Sequence, residues 1–282
     1  MDALAIAIKT LSYLAMAIAM GSVLCLALLS CLPVTEQKAL RRLIPVAASV
    51  GLITLAGRVG IEVVYLAGGG LEALVDAELI QLVLSGALGR TLLIQAGGLV
   101  LSAAIVFPAV GLPLGLIGVL AVSASFGLSG HVAAYKGQWL SVLITLHWLA
   151  LGFWLGIFIP LYRVCGYSHR NAARVAHSFG RLALVTVSVL VVAGGVTLYQ
   201  LTGGRLLALE TGYTQLFAIK LAVFALVLSL AALNKLSLTP ALNRGDSLAP
   251  ARMQRSLMLE GALIVIIMGV SATITTLTAP GG

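Results

Sequence analysis

Long apolar stretches alternate with short polar ones along this chain, and the apolar stretches set the list of elements. A helix needs about 20 mostly apolar residues to cross the hydrocarbon core of a bilayer. Eight segments reach that length: 4–30, 43–66, 90–109, 111–131, 139–162, 180–202, 213–234 and 257–279. The pattern predicts an all-α integral membrane protein of eight transmembrane helices, with no room for a sizeable soluble domain. The first segment reads as a retained span and not a signal peptide. Its apolar run is too long, its start is not basic (Asp2, with one Lys9), and no small-x-small site follows. Between the third and fourth segments, Pro108 and Pro113 mark a turn, because proline interrupts helix hydrogen bonding. Residues Leu71 to Leu84 form a shorter amphipathic segment carrying Glu72, Asp76 and Glu78. It predicts the solvated face of an interfacial helix, which could also concentrate cations.

Composition agrees with lipid as the main partner. Of 282 residues 60% are hydrophobic and 9% are charged, against about 25% charged in a soluble domain. This excludes a soluble globular protein and a disordered chain, and three cysteines make no disulfide framework. The net charge of +8 would suggest a nucleic-acid partner in a soluble protein. Here its distribution argues otherwise. Eleven of the 17 basic residues lie in the first, fifth and seventh connections: Lys38, Arg41, Arg42; Arg163, Arg170, Arg174, Arg181; Lys235, Arg244, Arg252, Arg255. The even connections hold Arg90, Lys136 and Arg205. Basic loops stay in the cytoplasm, so both termini are expected in the periplasm and no nucleic acid is implied.

An internal match divides the chain. Thr10–Gly21 aligns with Thr145–Gly156 at five identical positions, Gly68-Gly69 with Gly203-Gly204, and Thr91–Gln95 with Leu216–Lys220. Four spans per half gives two parallel four-helix repeats, expected over 1–134 and 135–282. The informative positions are those where the halves differ: His147 against Ser12, and Lys220 against Gln95.

An ionisable group inside a span is costly and suggests function by default. Arg58 and Glu62 lie four apart near the outer end of the second span, share a face, and can pair. They are either a structural ion pair or part of a polar vestibule. Lys220 lies ~10 Å into the seventh span at 1.5 Å per residue, where it either snorkels outward or, as the third member of that vestibule, gates charge or docks a partner. His131 ends the fourth span and His147 lies roughly 12 Å into the fifth. Imidazole suits copper, zinc, iron and nickel, so this pair is the candidate metal site. On straight helices the two rings differ in depth by roughly 10 Å. Shared ligation then requires an early helix end or an inward dip of 132–138; otherwise the histidines are successive stations. Ser12, Met16 and Met20 fall within ~80° on one face of the first span, and Cys31 returns to ~60° from Met16. Thioether and thiolate favour Cu(I), making Met16 and Met20 a possible metal path, with core filling as the alternative. Cys25 lies ~180° from Met16 and reads as a packing residue. Phosphate loops, catalytic Ser/His/Asp arrangements and zinc-type cysteine clusters do not occur, so neither an enzyme nor a nucleotide-driven pump is expected.

The second half resembles the CopD/PcoD copper-resistance family of bacterial inner-membrane proteins. The resemblance rests on Ser129-Gly130-His131, then His147-Trp148-Leu149-Ala150-Leu151-Gly152-Phe153-Trp154-Leu155-Gly156. It continues through Tyr213, Ile219-Lys220-Leu221, Ala232-Leu233-Asn234 and Leu238-Thr239-Pro240-Ala241-Leu242. It covers roughly 125–245, while the first four spans match in layout. It implies transport of copper across the inner membrane or resistance to it, with import the usual proposal. It also implies a separate periplasmic copper-binding partner of the CopC type, and His131 and His147 as the copper-handling pair. Two other classes remain open. One is a b-type haem protein with a quinone partner, using histidines as axial ligands. The other is a docking module or sensor for a periplasmic copper carrier.

Overall fold

The computed structural model describes residues 1–128, 138–201 and 212–277, and within them every regular element is helical. His131, Lys136, Arg205 and Gly203-Gly204 lie outside the described residues. In chain order the elements are α1 (Asp2–Leu28), α2 (Val34–Leu66), a 3₁₀ turn (Leu71–Val75), α3 (Ala77–Ser85) and α4 (Ala87–Ala103). Then come α5 (Gly111–Ser125), α6 (Gln138–Gly156), α7 (Phe158–Cys165), α8 (His169–Leu201) and α9 (Gly212–Leu233). A π-helical turn (Asn234–Leu238), α10 (Thr239–Asn243) and α11 (Ala249–Leu277) complete the chain.

Among the described residues seven helical stretches are long and apolar enough to cross a membrane. The expected fourth span appears as the 15-residue α5. It follows a break at Phe107 to Val110, with Pro113 in its first turn, where a missing N–H costs nothing. α2, α8 and α11 begin well before the apolar segments they contain, at Val34, His169 and Ala249. Apolar counting stops at the first charges, but a helix stops only where its backbone bonds fail. α2 ends in such a place. Gly68 has φ 77°, and Gly69 N–H donates to Val64 O at 2.8 Å while Gly68 N–H donates to Tyr65 O at 3.2 Å. This Schellman pattern uses the left-handed conformation that glycine adopts freely. Asp76 caps α3 by accepting from the N–H groups of Glu78 and Leu79 at 2.9 and 3.1 Å, while Glu72 and Glu78 are exposed.

α1 is apolar on every side and sits at the centre, packed against α2, α5, α6 and α11, with Met16, Ala17, Met20 and Val23 fully buried. A helix without a polar stripe belongs inside. Its contact with α6 is a backbone contact. A Cβ placed on Gly21 would lie 2.0 Å from Gly152 O, and one on Gly156 would lie 2.2 Å from Gly21 O. Small residues spaced four apart, here Gly152 and Gly156, permit this approach in membranes, where packing rather than the hydrophobic effect holds helices together. Gly21 and Gly156, equivalent in the internal match, thus face each other. A second close pair, Gly98 and Gly118, joins α4 to α5.

The start of α1 and the end of α11 lie together, where Lys9 Nζ donates to Thr275 O at 2.9 Å. At the other, basic end, Glu36 in the first turn of α2 is 0% exposed. It accepts from Arg163 Nε at 2.9 Å and from Tyr167 O–H at 3.2 Å. Partial burial, and then the adjoining Glu36 carboxylate, push the Tyr167 phenol above its usual range. Arg163→Ala leaves the buried carboxylate without a counter-charge. It is expected to cost about 3 kcal/mol, more than Glu36→Gln, as read by thermal unfolding of the purified protein.

Candidate functional site

His147 sits on the third turn of α6, facing α8. Its Nδ1 lies 3.1 Å from Leu190 O. A carbonyl only accepts, so Nδ1 carries the hydrogen and Nε2 keeps its lone pair. A ring fixed by such a backbone bond is the usual state of a histidine metal ligand. The rotation of α6 that aims His147 at α8 is set by its neighbour. Trp148 stacks on Phe126 at 3.7 Å and meets Tyr13 edge-on at 5.4 Å. That cluster holds the adjoining face of α6 against α1 and the end of α5.

α8 approaches the ring closely. A Cβ on Gly194 would lie 3.1 Å from Cε1 and 3.2 Å from Nδ1 of His147. Gly194→Ala is therefore expected to shift the ring by a few tenths of an ångström and weaken its bond to Leu190. Loss of such an outer partner typically lowers metal affinity 10–100-fold. Copper titration of the purified variant should show a loss of about tenfold, with helix content unchanged.

Lys220, on the third turn of α9, is half-buried. Its Nζ lies 5.3 Å from the centroid of Phe217, one turn earlier, a cation–π distance. His147 and Lys220 are the two residues that distinguish the second half from the first. Their counterparts are buried polar groups. Ser12 Oγ and Gln95 Oε1 have no hydrogen-bond partner, and Gln95 is 1% exposed. Thr197 Oγ1 on α8 is likewise unpartnered.

The other expected site residues lie elsewhere. Arg58 and Glu62 share a face of α2 without a direct ion pair and interact with Lys9 and Tyr13 of α1. This cluster belongs to the α1–α2 contact, whereas Lys220 is on α9. Met16 and Met20 are fully buried in the main core. Met20 packs on Gly152, about 140° around α6 from His147 at 100° per residue. The methionines and the histidine are therefore on different sides of one helix. Among the described residues no group of three or more His, Cys, Asp or Glu side chains is placed to hold a metal ion. His131 falls outside those residues. Ser141 Oγ donates to Gly127 O at 2.8 Å, which ties the start of α6 to the residues after α5. The three cysteines are free, with Cys25 fully buried in a core cluster at the basic end.

Spacing and hydropathy identify His147 and Lys220 but not Leu190 or Gly194, since every residue has a carbonyl and a glycine in an apolar helix has many uses. Two buried carboxylates, Glu36 and Glu260, were also missed. Glu260 carried a signal, as the fourth position of the predicted span 257–279.

Comparison with known proteins gives a consistent picture. Residues 1–142 match the family described as copper resistance protein D-like, N-terminal domain, and residues 173–274 match copper resistance protein D. The copper resistance protein D of Pseudomonas syringae pv. tomato is 28% identical over 230 residues, which cover 74% of this chain and 73% of that protein. No solved structure matches the chain significantly.

Proposed function

Since the chain belongs to the copper resistance protein D family, we propose that it carries copper across the bacterial inner membrane through a site centred on His147. One observation carries this reading: an imidazole inside a span whose Nδ1–H is committed to Leu190 O, leaving Nε2 as a ligand. Copper would be handed over from the periplasm by a CopC-type protein, meet His131, and pass to His147. The Lys220 ammonium of α9 would repel a cation in proportion to its charge. It would therefore disfavour Cu²⁺ more than Cu⁺ at this site. Met16 and Met20, thioethers on the far side of α6, would form a later Cu(I) station, reached between the two four-helix halves. Eight spans, with α5 as the fourth, would place both termini in the periplasm by the loop charges.

The test is copper uptake into liposomes holding the purified protein, compared with His131→Ala and His147→Ala. Uptake by the wild type that falls in both variants is expected. Equal uptake in all three would overturn the proposal. A Soret band in the wild type would assign the histidines to haem instead. Binding of a periplasmic copper carrier with no uptake at all would make the protein a docking module.

A further inference from the structure

At the basic end, α9 passes into the π-helical turn, and α11 packs beside both. Such turns are rare and concentrate at functional sites. Its first residue, Asn234, donates from Nδ2 to Oε1 of Glu260 on α11. Glu260 is 1% exposed.

Among the described residues no cation forms an ion pair with this carboxyl. The ion pairs among the described residues are Arg163–Glu36 and Arg252–Asp246. The elements packed on α11 are α9, α1, α7, the π turn and α10. Lys235 of the π turn donates to Gly180 O instead. Arg163 of α7 is engaged by Glu36, and Lys220 of α9 lies roughly 21 Å along the helix from Asn234 at 1.5 Å per residue. α1 brings the buried thiol of Cys25 to this end, and α10 has no ionisable side chain. On α11 itself Arg252 and Arg255 are exposed. None of these charges forms an ion pair with Glu260, whose hydrogen bond is to Asn234.

Two buried polar atoms beside it lack partners: Asn234 Oδ1 and, one turn earlier on α11, Ser256 Oγ. An ionised carboxylate only accepts hydrogen bonds. It would leave Asn234 Oδ1 unsatisfied and an unpaired charge buried, and both are costly. A protonated carboxyl removes both problems. Its O–H donates to Asn234 Oδ1 while Asn234 Nδ2–H donates to Oε1, closing a two-bond acid–amide ring. We propose that Glu260 is a proton-binding site, which takes its proton from water at the basic end and holds it against Asn234. Losing the proton to water leaves a carboxylate that draws Glu260 toward solvent and loosens α11 from the π turn. This site stands apart from the copper reading, and its test needs no transport.

The native state then binds a proton that the unfolded chain has already released, so stability falls as pH rises. The test uses the full-length protein in lipid nanodiscs, with Glu260→Gln and Glu260→Met as neutral replacements. At neutral pH the wild type should show an infrared C=O band of a protonated carboxyl that both variants lack. From neutral to alkaline pH its melting temperature should fall while theirs stays level. No difference in that band, or the same pH-dependent fall in the variants, would overturn the proposal. So would misfolding of both variants, because a site that is neutral in the folded protein tolerates neutral substitutes.

Discussion

Replacing Gly21 with leucine is expected to separate α1 from α6 and destabilise the whole bundle. The reason is the identity of the atoms in the way. A Cβ at position 21 would meet Gly152 O, Gly156 N and Gly156 Cα at 2.0, 2.7 and 2.8 Å. All are backbone, so no side-chain rotamer relieves the clash, and one helix must move. Overpacking costs about 1–3 kcal/mol when side chains can yield; with backbone on both sides about 3 kcal/mol or more is expected. α1 is also the helix on which α2, α5, α6 and α11 converge, so the loss spreads through the core. Thermal unfolding in detergent checks this, with Gly269→Ala as control. Nothing lies within 4 Å of a Cβ at Gly269, and alanine favours helix over glycine by up to about 1 kcal/mol. The control should therefore be neutral or slightly stabilising. Equal stability of Gly21→Leu and wild type would mean that α1 and α6 do not meet through these glycines.

His147→Ala is expected to abolish high-affinity copper binding while sparing the fold. The ring gives up one side-chain hydrogen bond, and Leu190 O remains within a helix. Losing an outer partner of a ligand costs 10–100-fold in affinity, so losing the ligand should cost more than about 100-fold. Copper uptake should fall in step. His177→Ala, on the same helix as Leu190 but at the basic end, should leave both quantities unchanged.

Apolar runs long enough for a bilayer are read directly, because lipid solvation acts on each residue independently. The ends of α2, α8 and α11 are not, because charged residues continue a helix beyond the membrane. His147 and Lys220 are legible as ionisable groups in apolar runs. That His147 faces Leu190 and Gly194, while Arg58 and Glu62 face α1, depends on how α6 packs on α8 and α1 on α2. The internal match pairs Gly21 with Gly156, and only the packing reveals that equivalent glycines touch. Glu36 falls in what hydropathy treats as a loop. Its burial comes from Arg163 and Tyr167, over a hundred residues away in sequence.

Copper analysis of the purified protein in lipid, combined with X-ray absorption at the copper edge, tests the central claim most directly. A wild type that binds copper through a histidine nitrogen, with that signal lost in His147→Ala and kept in His177→Ala, is the predicted result. Copper bound equally, with the same ligand signature, by wild type and His147→Ala would contradict it.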